Sequence, residues 1–244
     1  MGTDISLVKR LVIANRVLAH EDVIDAYGHV SLRDPARPDR FFMAKSRSPE
    51  FVDLDDIHEY GLDGEPTDGF DGRSYVERYI HSAVYAARPD VSCVVHAHTE
   101  ALLPFGLIGY PLKAVIHSVS DMGSNVPVWD IADKFGDDTN LLVTDMTQGE
   151  DLARTLGDEE VALMRGHGFV TGGRSIETTV RMCVYMARNA RVLLAAHMLG
   201  GQPKPVSPGE VAARRTFFEP DGPWIGRAWE AWAARAGCAH LLAD

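Results

Sequence analysis

Three cysteines in 244 residues (Cys93, Cys183, Cys238), odd in number and without paired spacing, give no basis for a disulfide framework. A reducing, cytoplasmic setting is therefore expected. No apolar stretch is long enough to span a bilayer. Asp4, Lys9 and Arg10 interrupt the apolar residues at the start of the chain, so no signal-peptide pattern is expected there. Basic charge is also short: the net charge of −11 argues against a nucleic-acid surface and against an anionic membrane. An anionic small molecule is not excluded, because a metal and a few arginines can reverse a local field. No internal repeat is visible. What remains is ordinary for a globular protein, with 45% hydrophobic and 24% charged residues, enough to bury a sizeable core.

Hydrophobic spacing predicts a helix over residues 4–21, with Leu7, Val8, Leu11, Val12 and Leu18 on one face. Short strands are expected over Tyr27–Arg33, ending at Asp34-Pro35, and around Phe41-Phe42-Met43. Residues 45–72, rich in Asp, Gly and Pro, read as loop with a short strand or two. Ser74 is the expected N-cap of a helix to about Ala87, stopped by Arg88-Pro89. A buried strand is expected over 91–97, then an apolar segment around Ala114–Val119, a helix over Gly149–Leu156 and a strand over Glu160–Arg165. Ser175 should cap a long helix to about Leu199, ended by Gly200-Gly201. One α/β domain over 1–202 is the economical reading. Residues 203–244, rich in Pro and then Trp (Trp224, Trp229, Trp232), look like a C-terminal arm packing on the body or on a neighbouring subunit.

The chemistry-bearing feature is His96-Ala97-His98 at the end of the apolar run Val91-Ser92-Cys93-Val94-Val95. Side chains two apart on a strand share a face, so both imidazoles could grip one metal ion. A competent site needs a third ligand. His167, between Gly166 and Gly168, is a candidate because glycines allow a sharp turn that presents one ring, though an ordinary Gly-rich turn would look the same. Glu77 is the fourth, placed on the expected helix four residues before His81 and just ahead of the strand bearing His96 and His98. Such a carboxylate can be ligand, general base or both in turn. His81 reads as a core histidine bonded to its neighbours.

Taken together and in order, Gly28-His29-Val30-Ser31-Leu32-Arg33, Glu77-x-x-x-His81, Arg88-Pro89-Asp90, Val95-His96-Ala97-His98 and Gly166-His167-Gly168 resemble the class II aldolase/adducin family over roughly residues 5–200. The resemblance implies a three-layer α/β/α fold with a largely antiparallel central sheet and a homotetramer with active sites at subunit interfaces. It implies one divalent metal ion per subunit held by His96, His98, His167 and Glu77, with Glu77 also the acid/base. Zinc, manganese, iron and cobalt all suit that donor set.

Departures from the family's sugar-phosphate aldolases narrow the reaction. Their paired serines before the glutamate are Tyr75-Val76 here, their Gly-Asn is Gly28-His29, and a tyrosine expected after a histidine near residue 117 is Ser118, following His117. The surrounding motifs, including Val76-Glu77-Arg78 and Leu163-Met164-Arg165-Gly166-His167-Gly168, resemble the branch that decarboxylates hydroxylated aromatic or pyridine dicarboxylates. The expected function is therefore decarboxylation of a 3,4-dihydroxyphthalate-like acid. Glu77 and His29 are the expected proton carriers, and Arg33, Arg78, Arg165 and His117 the expected substrate contacts. The alternatives are an aldolase on a non-phosphorylated hydroxy-keto acid, a sugar-phosphate aldolase or epimerase, and a non-catalytic adducin-like interaction module.

Overall fold

The computed structural model of the chain describes residues 4–123, 126–217 and 222–242. Helix α1 (Ile5–His20) starts where Asp4 accepts a hydrogen bond from the Ser6 amide, and its apolar stripe, Leu7 to Leu18, is buried. Strands β1 (His29–Arg33), β2 (Arg40–Ala44) and β3 (Ile57–Gly61) form an antiparallel meander. Helix α2 (Arg78–Ala87) leads into β4 (Cys93–Ala97), every residue of which is buried. Short helices α3 (Leu103–Leu107) and α4 (Ala132–Phe135) flank the two-residue strand β5 (Val128–Trp129) in sequence. Then come α5 (Met146–Leu156), β6 (Val161–Met164), β7 (Gly168–Gly173) and α6 (Ile176–Met198), the last capped by Ser175. Helices α7 (Pro208–Phe217) and α8 (Pro223–Arg235) complete the described elements.

The strands form one seven-stranded sheet in the order β3-β2-β1-β4-β7-β6-β5, antiparallel except for β5 beside β6. Helices cover both faces: α1 packs with α6 and α8 on one side, α2 with α5 on the other. The fold is α/β with a mostly antiparallel sheet, as expected. β4 is central, which is why it reads as a continuous apolar run rather than an alternating one. Its register sets His29 opposite His96 and Ala97 opposite Phe169, so the start of β1, the end of β4 and the start of β7 meet at one end of the sheet.

One local expectation is corrected. The helix predicted from Ser74 begins at Arg78: the Ser74 hydroxyl bonds the Tyr60 phenol, and Glu77 takes the N-cap position without capping, its carboxylate engaged elsewhere. Glu77 therefore stands just ahead of the helix rather than on its face. The expected apolar segment around 114–119 runs irregularly into a 3-10 turn (His117–Val119); the buried Asn189 of α6 accepts from the amides of Val115 and Ile116 and donates to the Lys113 carbonyl. At the C-terminal end, Trp229 and Trp232 of α8 are buried against the body of the same chain.

Candidate metal centre and active site

Three segments bring Glu77, His96, His98 and His167 together. His96 is the penultimate residue of the buried β4 and His98 lies just beyond the strand. Glu77 enters from the turn before α2, and His167 sits in the β6–β7 turn. That turn needs its glycines: Gly166 has φ +66°, and a Cβ on Gly168 would lie 2.1 Å from the Ala97 carbonyl oxygen.

The ligand-capable atoms form a closed ring. Glu77 Oε2 is 3.5 Å from His96 Nε2 and 3.4 Å from His167 Nε2. His98 Nε2 is 3.1 Å from His96 Nε2 and 3.2 Å from His167 Nε2. All four lie within 4.8 Å of one another. Atoms coordinating one ion at about 2.1 Å would stand roughly 3.0–3.4 Å from their neighbours, so the spacing fits a single divalent cation.

Hydrogen bonds on the far side of two rings reinforce that fit. His96 Nδ1 is 3.0 Å from the Phe169 carbonyl oxygen and must donate to it. His98 Nδ1 is 3.1 Å from each Asp25 carboxylate oxygen and likewise donates. In the neutral rings both Nε2 atoms then carry lone pairs, which face each other and the Glu77 carboxylate. A cation at the centre removes that repulsion. Asp25 is itself held by the amides of Tyr27 and Gly28, which accounts for its Asx-turn position. Glu77 Oε1 accepts from the Val143 amide at 3.0 Å. Burial opposes charge on Glu77, but where His96 and His167 carry a proton on Nε2 in place of an ion, their charge and hydrogen bonds outweigh it and hold the carboxyl well below its usual range.

Beside this ring lies a cavity of about 420 Å³. Its walls are mostly apolar: Tyr27, Tyr75, Val76, Leu141 and Leu142, with Ser46 and His29 among the polar contributions. Leu141 adopts φ +67°, an uncommon backbone for leucine, in the loop that delivers the Val143 amide to Glu77. The Tyr75 ring packs on His29, centroids 4.6 Å apart, and its hydroxyl donates to the Arg47 carbonyl.

His29 starts a buried chain of hydrogen bonds. Its Nδ1 is 2.6 Å from His81 Nε2, His81 Nδ1 is 2.6 Å from Ser31 Oγ, and Ser31 Oγ is 2.8 Å from the Tyr85 hydroxyl. Burial first, then neighbouring imidazoles, push His29 well below the usual histidine range and His81 to about 3, so both rings are neutral at pH 7. The expectation of His81 as a bonded core histidine matches this geometry.

Four expected substrate contacts lie outside the ring and cavity. Arg33 is at the opposite end of β1, its guanidinium donating to the carbonyls of Val91, Tyr85, Arg88 and Pro38. Arg78 faces away from Glu77, toward the Gly64 carbonyl and the Glu65 carboxylate. Arg165 pairs with Asp130. His117 lines a separate cleft with Val206 and Glu210. Within one chain, then, these arginines have structural partners, because each carbonyl- or carboxylate-rich turn beside them takes up the guanidinium. Sequence reasoning missed Asp25, Ser46 and the Leu141-Leu142 pair; two adjacent leucines after a run of Asp, Thr and Asn were the one visible signal.

The family model described as Class II Aldolase and Adducin N-terminal domain matches residues 9–194. The chain belongs to the class II aldolase/adducin family. Among relatives in this family, the chain is 34% identical over 197 residues to Decarboxylase tropJ of Talaromyces stipitatus, covering 76% of this chain and 74% of that protein. It is 26% identical over 219 residues to the 3,4-dihydroxyphthalate decarboxylase of Arthrobacter keyseri, covering 83% of each. L-fuculose 1-phosphate aldolase from Glaciozyma antarctica shares the fold at 22% identity with a TM-score of 0.76, over 95% of this chain and 90% of that one. The resemblance drawn from the sequence motifs is borne out at the level of family and fold.

Proposed function

We propose that the chain is a divalent-metal-dependent decarboxylase of a hydroxylated aromatic or heteroaromatic carboxylic acid, of the 3,4-dihydroxyphthalate type. The observation that carries this reading is the cavity wall beside the four-atom ring. Tyr75 packs tilted against His29, the two positions at which the family resemblance places phosphate contacts in sugar-phosphate aldolases, and Tyr27, Val76, Leu141 and Leu142 offer apolar surface for a flat ring. The names of the two decarboxylase relatives support the same choice.

His96, His98, His167 and Glu77 would hold the ion, whose Lewis acidity would stabilise negative charge on a substrate oxygen. The chain's own residues supply the rest. Leu141, Leu142 and Tyr75 would orient the aromatic ring and keep water from its faces. The Glu77 carboxylate would take the proton of a substrate ring hydroxyl and deliver it to the carboxyl-bearing ring carbon, while His29 would donate a hydrogen bond to a substrate oxygen. That forms a C–H bond; the C–CO2 bond then breaks, its electron pair returns through the ring to the deprotonated oxygen and CO2 departs. Solvent would then reprotonate that oxygen. Arg33, Arg78 and Arg165 have internal partners, so a second carboxylate would be met by Ser46 or by groups from a neighbouring copy, of which His117 is the candidate proposed.

Purified protein supplied with zinc, manganese, iron or cobalt should release CO2 from 3,4-dihydroxyphthalate or a related hydroxyaromatic acid and lose the activity to a chelator. Aldehyde release from hydroxy-keto acids or sugar phosphates, with no CO2 from any aromatic acid, would refute the proposal in favour of an aldolase.

A further inference from the structure

The buried chain behind His29 does more than fill space. A neutral imidazole carries one N–H, so of His29 Nδ1 and His81 Nε2, 2.6 Å apart, only one can hold hydrogen. Ser31 Oγ could accept from both His81 and Tyr85, but its own hydrogen would then find no acceptor among these contacts, so every hydrogen is used only where the chain of bonds runs wholly in one direction or wholly in the other. Its far end decides which. The Tyr85 hydroxyl has two acceptors in reach: Ser31 Oγ at 2.8 Å and the Ser92 carbonyl oxygen at 3.4 Å. Donation to the nearer one makes Ser31 donate to His81 Nδ1, which leaves the His81 hydrogen on Nε2. That hydrogen is given to His29 Nδ1, and the hydrogen of His29 is left on Nε2. Among the described residues, no hydrogen bond within the chain occupies His29 Nε2, and His29 lines the cavity.

We propose that Tyr85, Ser31 and His81 are positioning residues whose hydrogen bonds fix the proton of His29 on Nε2, so that His29 presents an N–H to a carboxylate or phenolate oxygen of the substrate. Tyr85 is held firmly in place, because the Arg33 guanidinium lies 4.6 Å from the centre of its ring and both side chains are buried. Arg33 thus supports the site from behind, through Tyr85, rather than from within it. The catalytic half of this inference rests on the decarboxylase reading; the tautomer half does not.

The test uses the zinc-loaded protein and two variants, Tyr85→Phe, which removes one oxygen, and Ser31→Ala. Histidine nitrogen NMR of the resting protein should show the Nε2–H form of His29. In both variants the Nδ1–H form should gain, by roughly tenfold in the ratio of the two forms if one buried hydrogen bond sets the bias. With a turned-over hydroxyaromatic acid, kcat should fall about tenfold in each variant while KM and bound zinc stay within about twofold, a split that loss of packing alone would not give. The Nδ1–H form in the unsubstituted protein, or a ratio unmoved by both substitutions, would overturn the proposal. So would a shifted ratio with unchanged kcat. A shifted ratio in a protein that decarboxylates no aromatic acid would uphold the tautomer assignment and refute the substrate reading instead.

Discussion

Replacing Asp25 with asparagine isolates one atom's worth of the metal centre. Asp25 Oδ1 accepts from the Tyr27 and Gly28 amides at 3.0 Å each, and both carboxylate oxygens face His98 Nδ1 at 3.1 Å. In Asp25→Asn the amide oxygen keeps the two backbone bonds, so the turn survives. The new NH2 group then faces His98 Nδ1, donor against donor, and the only acceptor left to that ring nitrogen is Oδ1, which already takes two backbone amides. The way out is for His98 to move its hydrogen to Nε2, where it points into the ring of ligand atoms, 3.1 Å from His96 Nε2. Binding a cation must then reverse that tautomer and restore the donor clash. Loss of such an outer partner typically costs 10–100-fold in metal affinity, about 1.4–2.7 kcal/mol. Competition with a chromophoric chelator measures the affinity, and thermal unfolding of the metal-free protein checks the fold, which should melt within a few degrees of the parent. Wild-type affinity in Asp25→Asn would refute the assignment of His98 Nε2 as the ligand atom. A large drop in the metal-free melting temperature would show that Asp25 holds the turn through more than its amide bonds.

Alanine at His96 or His98 should remove bound metal and activity together while leaving a folded chain; metal analysis and circular dichroism check both. Glu77→Gln keeps an acceptor for the Val143 amide but removes charge and proton exchange, so kcat should fall at least about 100-fold with substrate affinity largely kept. A near-normal rate would remove Glu77 from the chemistry. Arg33→Met should leave metal content unchanged but destabilise the fold by about 2–4 kcal/mol in urea titrations, because four carbonyls lose their donor. His81 is held near 3 when folded and titrates near 6.5 when unfolded, so the unfolded chain takes up a proton that the folded one refuses. The metal-free protein should accordingly lose stability as pH falls below about 6.5, by up to ~1.4 kcal/mol per unit from this group, levelling toward pH 3. A stability curve flat from pH 7 to 4 would contradict it.

Much of this was legible in the residues, and the exceptions share a cause. His96-Ala97-His98 and the glycine-flanked His167 could be read because strand alternation and a tight turn constrain where short side chains point. The buried β4 announced itself as an apolar run, α1 by its apolar stripe and α6 by its Ser175 cap. The arginines could not be read so. A guanidinium on a long flexible stem goes wherever carbonyls or carboxylates accumulate, and Arg33, Arg78 and Arg165 each found partners that sequence order does not reveal. Glu77 does join the ring of ligand-capable atoms, but from just ahead of the helix rather than from its face, since Ser74 spends its hydroxyl on Tyr60 instead of capping a helix. Strand β7 was overlooked because Gly168, Gly172 and Gly173 dilute its alternation, although Gly168 is what allows the close approach to β4.

The bond from His96 Nδ1 to the Phe169 carbonyl ties the candidate metal centre to the alignment of two neighbouring strands. A slip of β7 by one residue would turn its side chains to the opposite face and withdraw that carbonyl, leaving His96 free to take either tautomer. His167, anchored just ahead of β7, would be displaced by the same slip. Chains that misalign during folding would therefore hold metal poorly, and metal retention becomes a readout of strand alignment. A preparation refolded with the ion present would be sorted by the ion itself, well-aligned molecules keeping it through gel filtration and misaligned ones shedding it.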